Sequence, residues 1–299
     1  MSDTSWLTEF PQLDRQQLLA IRQTLDGAYR TFSREYGDTI ESFFDPLLSF
    51  LIGFEKLLLA TPWWLMIALL AALAFYASRS WKLAIGVVVA FVFIGLFGMW
   101  DDTMRTMSII IASTLLAVLI GVPVGIWMAR SDRVQRWVTP LLDVMQTMPA
   151  FVYLIPVVML LGIGKIPGLI AVVIYAIPPV IRLTNLGIRL VDKEVLEAAE
   201  AYGASRWQRL TGVQLPLAMP TIMAGINQTI MMALAMVVIA SMIGVKGLGQ
   251  PVLKSITNQY FTLGLLNGLA IVALAIMFDR ISQSYARRAQ QHLSGSRHD

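Results

Sequence analysis

The sequence predicts an all-α, polytopic membrane protein of about seven transmembrane helices, and three observations carry that prediction. The 299 residues are 57% hydrophobic and 14% charged, with a mean hydropathy of +0.67, too apolar for a soluble domain. The few charges cluster, leaving charge-free stretches at Leu57–Ser78, Leu83–Trp100, Thr106–Ala129, Val144–Gly164, Ile166–Ile181, Leu210–Val245 and Ser255–Phe278. These runs suit membrane-crossing helices, and none has the short alternating pattern of an outer-membrane barrel strand.

Taken in order, residues 1–42 hold Asp3, Glu9, Asp14, Asp26, Glu35, Asp38 and Glu41 against Arg15, Arg22, Arg30 and Arg34. With neither a basic start nor an early apolar run this is not a signal peptide, and it reads as an extracytoplasmic segment. In residues 43–60, Asp45 is placed to cap a helix opened by Pro46. Ser49, Gly53 and Lys56 share one side, and Leu47, Leu48, Leu51, Ile52, Phe54 and Leu58 fill the rest. The expectation is an interfacial amphipathic helix, the alternative being an extension of the first span. Residues 61–281 form the transmembrane domain, interrupted by a polar loop at 182–220, and residues 282–299 form a basic tail.

Basic residues set the orientation. Alternate loops place fourteen cations on one side, among them Arg79, Lys82, Arg130, Arg133, Arg136, Arg182, Arg189, Arg206, Arg209 and Arg280. The opposite loops hold Arg105, Lys165, Lys246 and Lys254. The positive-inside rule then puts the N-terminus outside and the C-terminus in the cytoplasm.

Proline marks helices that are not simple rods: Pro123 in the third span, Pro149 and Pro156 in the fourth, Pro178 and Pro179 in the fifth. Each removes a backbone donor that a neighbour must replace. The fourth and fifth spans are joined by Gly162-Ile163-Gly164-Lys165-Ile166-Pro167-Gly168, a tight outer turn. Such broken helices either line a path or belong to a kinked bundle. Gln146, Thr147, Asn227 and Gln228 are uncharged polar residues within the spans, suited to lining a polar path or to joining helices.

Several chemistries are excluded. The chain has no cysteine, and its two histidines, His292 and His298, lie in the tail, so metal and redox centres are not expected. A net charge of +4 carried by membrane-flanking loops does not indicate nucleic acid. No mid-span residue is ionisable; Asp143 and Asp279 stand at span edges. No phosphate loop occurs, since Gly164-Lys165 is followed by Ile166, so the chain is not itself an ATPase of that type. What remains is a passive osmotic channel or the membrane subunit of a machine whose motor is a separate polypeptide, an ion-coupled carrier being the alternative that the missing mid-span charges disfavour.

The loop at 182–220 separates these readings. Asp192 is placed to cap a helix over Lys193–Tyr202, Gly203 to end it in a left-handed turn, and Ser205 to cap a second short helix through Gln208. Pro216 and Pro220 are expected to stop the segment before the sixth span. Glu197-Ala198-Ala199, then Gly203 after three residues, then Val213, Leu215 and Pro216, in this loop on the basic side, resemble the EAA motif of bacterial ABC importer permeases.

Three further stretches narrow the resemblance. Leu141–Leu154, Pro178–Thr184 and Gln214–Thr229 look like the glycine betaine/proline betaine (ProW-like) quaternary-amine uptake family, with similarity over roughly 57–279. The resemblance implies a type I importer bundle in the bacterial inner membrane. It implies that Glu197, Ala198, Ala199, Gly203, Ala204, Ser205, Leu215 and Pro216 couple to an ATP-binding cassette subunit. It further implies a homodimer, an extracytoplasmic substrate-binding protein, and ATP and Mg held by the partner ATPase, with no cofactor in this chain. For osmoprotectant uptake the substrate is a zwitterion with a quaternary ammonium head, which aromatic faces attract. Phe151, Tyr153 and Tyr175 are the aromatic candidates along the path, packing being their alternative role.

Overall fold

The computed structural model of the protein describes residues 13–295, and only the backbone of Asp38, Glu41 and 285–295. Asp3, Glu9 and His298, and the side chains of His292, Arg287 and Arg288, therefore lie outside the described residues. The described residues form helices without a strand.

The first helix, α1 (Arg15–Ala60), runs unbroken for 46 residues. The expected helix start at Asp45-Pro46 is absent, because the helix absorbs the one missing amide at Pro46 and continues. The break comes instead at Pro62, which holds Thr61 extended (φ −69°, ψ 127°). There the chain turns by 105° from the Ser42–Ala60 part of α1 into α2 (Trp63–Ser78), so the expected first span is divided. Arg79 takes a left-handed conformation (φ 52°) and leads into the 16-residue apolar α3 (Trp81–Leu96).

Next, α4 (Trp100–Arg130) passes straight through Pro123. The expected fourth span is broken at Pro149: α5 (Asp132–Thr147) and α6 (Ala150–Leu161) meet at 100°. After the glycine turn, α7 (Lys165–Ala176) and α8 (Pro178–Arg189) form one 25-residue span, with Pro178 at the start of α8, where its missing N–H costs little. The polar loop folds into α9 (Lys193–Ala201) and α10 (Arg206–Arg209).

Pro216 and Pro220 do not stop the chain. A π-helical turn, Leu210–Gln214, joins α10 to α11 (Leu215–Ala240), and its wider ring, closed by the Leu215 amide on the Leu210 carbonyl, carries the backbone past Pro216. A 3₁₀ turn (Ser241–Ile243), the short α12 (Gly249–Asn258) and the long α13 (Phe261–Gly295) complete the fold. The expected tail at 282 begins inside α13, with no change in backbone.

Among the described residues four helical stretches are long and apolar enough to cross a bilayer: Trp100–Arg130, Lys165–Arg189, Arg206–Ile243 and Phe261–Ser284. The two bent pairs raise the number to six if each counts as one span, and α3 is a shorter apolar helix beside them.

At the centre of the bundle α8 is wedged between α4 and α11 by glycines. A Cβ on Gly125 of α4 would stand 2.6 Å from the Thr184 Cβ and 2.7 Å from the Ile181 carbonyl oxygen. One on Gly121 would stand 2.4 Å from Val180 Cγ1. From α11, Gly225 faces Pro179, Val180 and Leu183 in the same way. The Gly121-x-x-x-Gly125 spacing thus lets two backbones approach closely where no hydrophobic effect drives helices together.

Candidate functional site: the polar hairpin and the broken helix

The hairpin is built by local capping. The Asp192 carboxylate accepts the Glu194 amide at 3.0 Å and starts α9. At the other end the Gly203 amide donates to the Glu200 carbonyl at 2.8 Å and the Ala204 amide to that of Ala199 at 3.0 Å, a Schellman turn with Gly203 at φ 79°. Ser205 and Gln208 then form a capping box, Ser205 N–H to Gln208 Oε1 at 2.8 Å and Gln208 N–H to Ser205 Oγ at 3.3 Å. An ion pair between Arg209 and Glu200 ties the two short helices together.

This hairpin is ordered yet uncovered. No residue of α9 is buried, Tyr202 is 94% exposed and Trp207 is 65% exposed. Glu197 and Ala198 are exposed, Ala199 and Ala204 half-buried. Glu197 makes no ion pair with Lys193 or any other described residue. Anchorage comes from below: Leu210 is buried with Ile188, Ala218 and Ile222, while Leu215 and Pro216 are half-buried at the start of α11. Because Arg206–Ile243 is one 38-residue helix, about 57 Å long at the usual rise, it exceeds a hydrocarbon core of roughly 30 Å, so part of it must project beyond the core.

Two arginines lock the hairpin end of the bundle. Arg189 donates to the Met128 carbonyl at the C-terminus of α4 (2.9 Å) and to Asn185 (3.0 Å), and it pairs with Asp132 at the start of α5 (2.7 Å). Arg182 pairs with Asp143 of α5, while its Nε is buried without a partner. In the sequence these arginines count toward topology and Asp143 stands at a span edge; their pairing across helices has no signal in either residue alone.

The break at Pro149 has a specific cause. Proline cannot donate to the Met145 carbonyl four residues back, and the Tyr153 hydroxyl, four residues on, donates to that carbonyl instead. Tyr153 is 6% exposed and meets the half-buried Tyr175 edge-on with centroids 5.8 Å apart. Both are therefore engaged in holding the bent pair. Gln146, Thr147 and Phe151 lie exposed around the break, with Phe151 at 54%. Asn227 does not join them: its amide donates to Asp279 of α13 at 2.9 Å, and Ser282 donates to its carbonyl oxygen. It links α11 to α13, while Gln228 beside it is exposed.

Comparison with known proteins agrees with this arrangement. Residues 121–291 match the model of the family described as "Binding-protein-dependent transport system inner membrane component". The glycine betaine/proline betaine transport system permease protein ProW of Escherichia coli (strain K12) is 48% identical over 242 residues, covering 81% of this chain and 68% of the relative. The glycine betaine/carnitine transport permease protein GbuB of Listeria monocytogenes serotype 1/2a (strain 10403S) is 46% identical over 257 residues, covering 84% and 91%. Among solved structures, an inward-facing MetNI methionine ABC transporter superposes with a TM-score of 0.58 at 18% identity, over 65% of this chain and 97% of that one, a likeness of fold. The chain belongs to the binding-protein-dependent transport system inner membrane component family, as a multi-pass inner-membrane permease subunit of an ABC importer.

Proposed function

We propose that this subunit carries glycine betaine, proline betaine or a related quaternary amine inward, driven by ATP hydrolysis on a separate cassette subunit and fed by an extracytoplasmic binding protein. The observation that carries the proposal is the hairpin: capped at every end, exposed along α9, and continuous through the π turn with a membrane-crossing helix. A rigid knob on a long lever is what a motor subunit needs in order to move the bundle. Glu197, Ala198, Ala199, Gly203, Ala204 and Ser205 form the docking face, and Leu215 and Pro216 join it to the lever. ATP and Mg are held by the partner, two of which serve a homodimer of this chain.

A passive channel or an ion-coupled carrier is not favoured. Neither explains a locally capped hairpin whose α9 has no buried residue, and the Glu55–Lys165 and Asp132–Arg189 pairs sit near helix ends. The path is assigned to the surroundings of the Pro149 break, with Gln146, Thr147, Phe151, Tyr153 and Tyr175 from that region and Gln228 from α11; Asn227 borders it as a strut. Residues 1–42 lie outside, 43–60 along the outer interface, as the 105° turn at Thr61 supports, and the C-terminus is cytoplasmic. The test is cross-linking: cysteine at Ala198 should form a disulfide with single cysteines on the co-expressed ATPase, and cysteine at Gln259, at the opposite end, should not. Equal cross-linking at both, or at neither, would refute the docking assignment.

A further inference from the structure

We propose that Glu55 is a positioning residue for transport, holding the glycine turn between α6 and α7 against α4 so that α1 forms part of the coupled machinery. This rests on the importer reading above. The family match begins at Gly121, so α1 lies wholly outside the matched segment.

Glu55 shares a face of α1 with Leu51 and Leu58, at 0% and 9% exposure, and its own side chain is 10% exposed. Its carboxylate accepts from Lys165 Nζ at 2.6 Å and lies 3.8 Å from Arg105 Nε, while Arg105 also pairs with Asp102 at 3.1 Å. Lys165 is the first residue of α7, directly after Gly162 (φ 73°) and Gly164 (φ 158°), a turn with open space around both glycines. Arg105 belongs to the first turns of α4. One buried carboxylate thus joins three elements at the end of the bundle remote from the hairpin.

The same helix grips the other side of that turn. Tyr29 Oη donates to the Pro156 carbonyl at 2.7 Å, and Ser33 Oγ donates to that of Met159 at 3.3 Å. Met159 is in the last turn of α6, where carbonyls have no intrahelical partner, so α1 caps α6 from outside. Between them these contacts fix both ends of the turn, and α6 begins at the Pro149 break, where Phe151 lies. For stability alone a leucine continuing the Leu51 and Leu58 face would serve, since a buried ion pair gains little over apolar packing. A carboxylate shared by two cations adds direction: it fixes where the turn stands relative to α4, and losing it leaves Lys165 without its counter-charge and Arg105 with Asp102 alone.

The experiment compares Glu55→Gln with the exchange Glu55→Lys/Lys165→Glu. Both are reconstituted in vesicles with the ATPase and the betaine-loaded binding protein, and betaine transported per ATP hydrolysed is measured. Glu55→Gln should retain assembly and basal hydrolysis within about twofold and lose about tenfold in that ratio; the exchange, which regenerates the pair to the turn but sets a second cation beside Arg105, should recover about threefold of that loss. An unchanged ratio in Glu55→Gln overturns the proposal. If that variant does not assemble, Glu55→Asp and Lys165→Arg, which keep the charges and alter the reach, take its place. Hydrolysis and uptake falling in equal proportion in both would show a purely structural role and overturn it. Wild-type vesicles that hydrolyse ATP without uptake would instead refute the importer reading itself.

Discussion

Replacing Gly203 separates backbone strain from crowding in the hairpin. Its φ of 79° lies in the left-handed region, and a Cβ built there meets no atom within 4 Å, so an added side chain costs conformational energy alone. For an L-residue that cost is about 1–2 kcal/mol, a shift of roughly fivefold to thirtyfold between the closed turn and an opened one. The two amide bonds that end α9, to Ala199 and Glu200, are lost together when the turn opens, and the Arg209–Glu200 pair with them. Gly203→Ala should therefore lower binding-protein-stimulated ATP hydrolysis by up to about that factor. Gly203→Val should lower it further because β-branching is disfavoured at positive φ, and Gly203→Asn should recover most of it. Amide hydrogen exchange over 193–209 should quicken in the same order, while membrane insertion is unchanged. A wild-type Gly203→Val, or an asparagine variant as impaired as valine, would refute the strain argument.

Other outcomes follow from the packing. Gly125→Val forces α4 from α8 against the Ile181 backbone and should cost about 1–3 kcal/mol or more, read as a lowered Tm in detergent, whereas Gly53→Ala, with open space around it, should not. Tyr153→Phe leaves the Met145 carbonyl without its donor, a loss of about 1–3 kcal/mol. Spin labels placed across the Pro149 break should then report a broadened distance distribution, and an unchanged one would contradict the role. The chain has no native cysteine, so single cysteines at Gln259 and Ser205 should label with an impermeant reagent from outside and only after permeabilisation, respectively. Uptake at constant ATP should persist when an ionophore collapses the proton gradient; sensitivity abolished by Asp143→Asn would favour an ion-coupled carrier.

The features legible in the sequence were those decided locally. Asp192, Gly203 and Ser205 each act within three or four residues of themselves, and the hairpin folds as their order predicts. Pro149 likewise breaks its helix because no neighbour restores a straight path. Pro123, Pro216 and Pro220 escaped that logic: tertiary packing carries α4 through the first, and the π turn absorbs the irregularity before α11. Asn227 reads in the sequence as one of several polar residues within the spans and Arg182 as one of the cations that set orientation, and their partners, Asp279 and Asp143, are 52 and 39 residues away in the chain. The Gly121-Gly125 spacing was visible but indistinct among 21 glycines until α8 was seen against it. Glu55 was one of many acids near the N-terminus, and only the fold brings Lys165 and Arg105 to it.

This chain should move a quaternary amine only when a separate ATPase drives its hairpin. Purified subunit in vesicles, alone and then with ATPase, binding protein and ATP, should show no uptake of labelled glycine betaine until all three are added, and none when Gly203 is valine. Uptake by the subunit alone down a betaine gradient, unaffected by ATP or by Gly203→Val, would contradict the account.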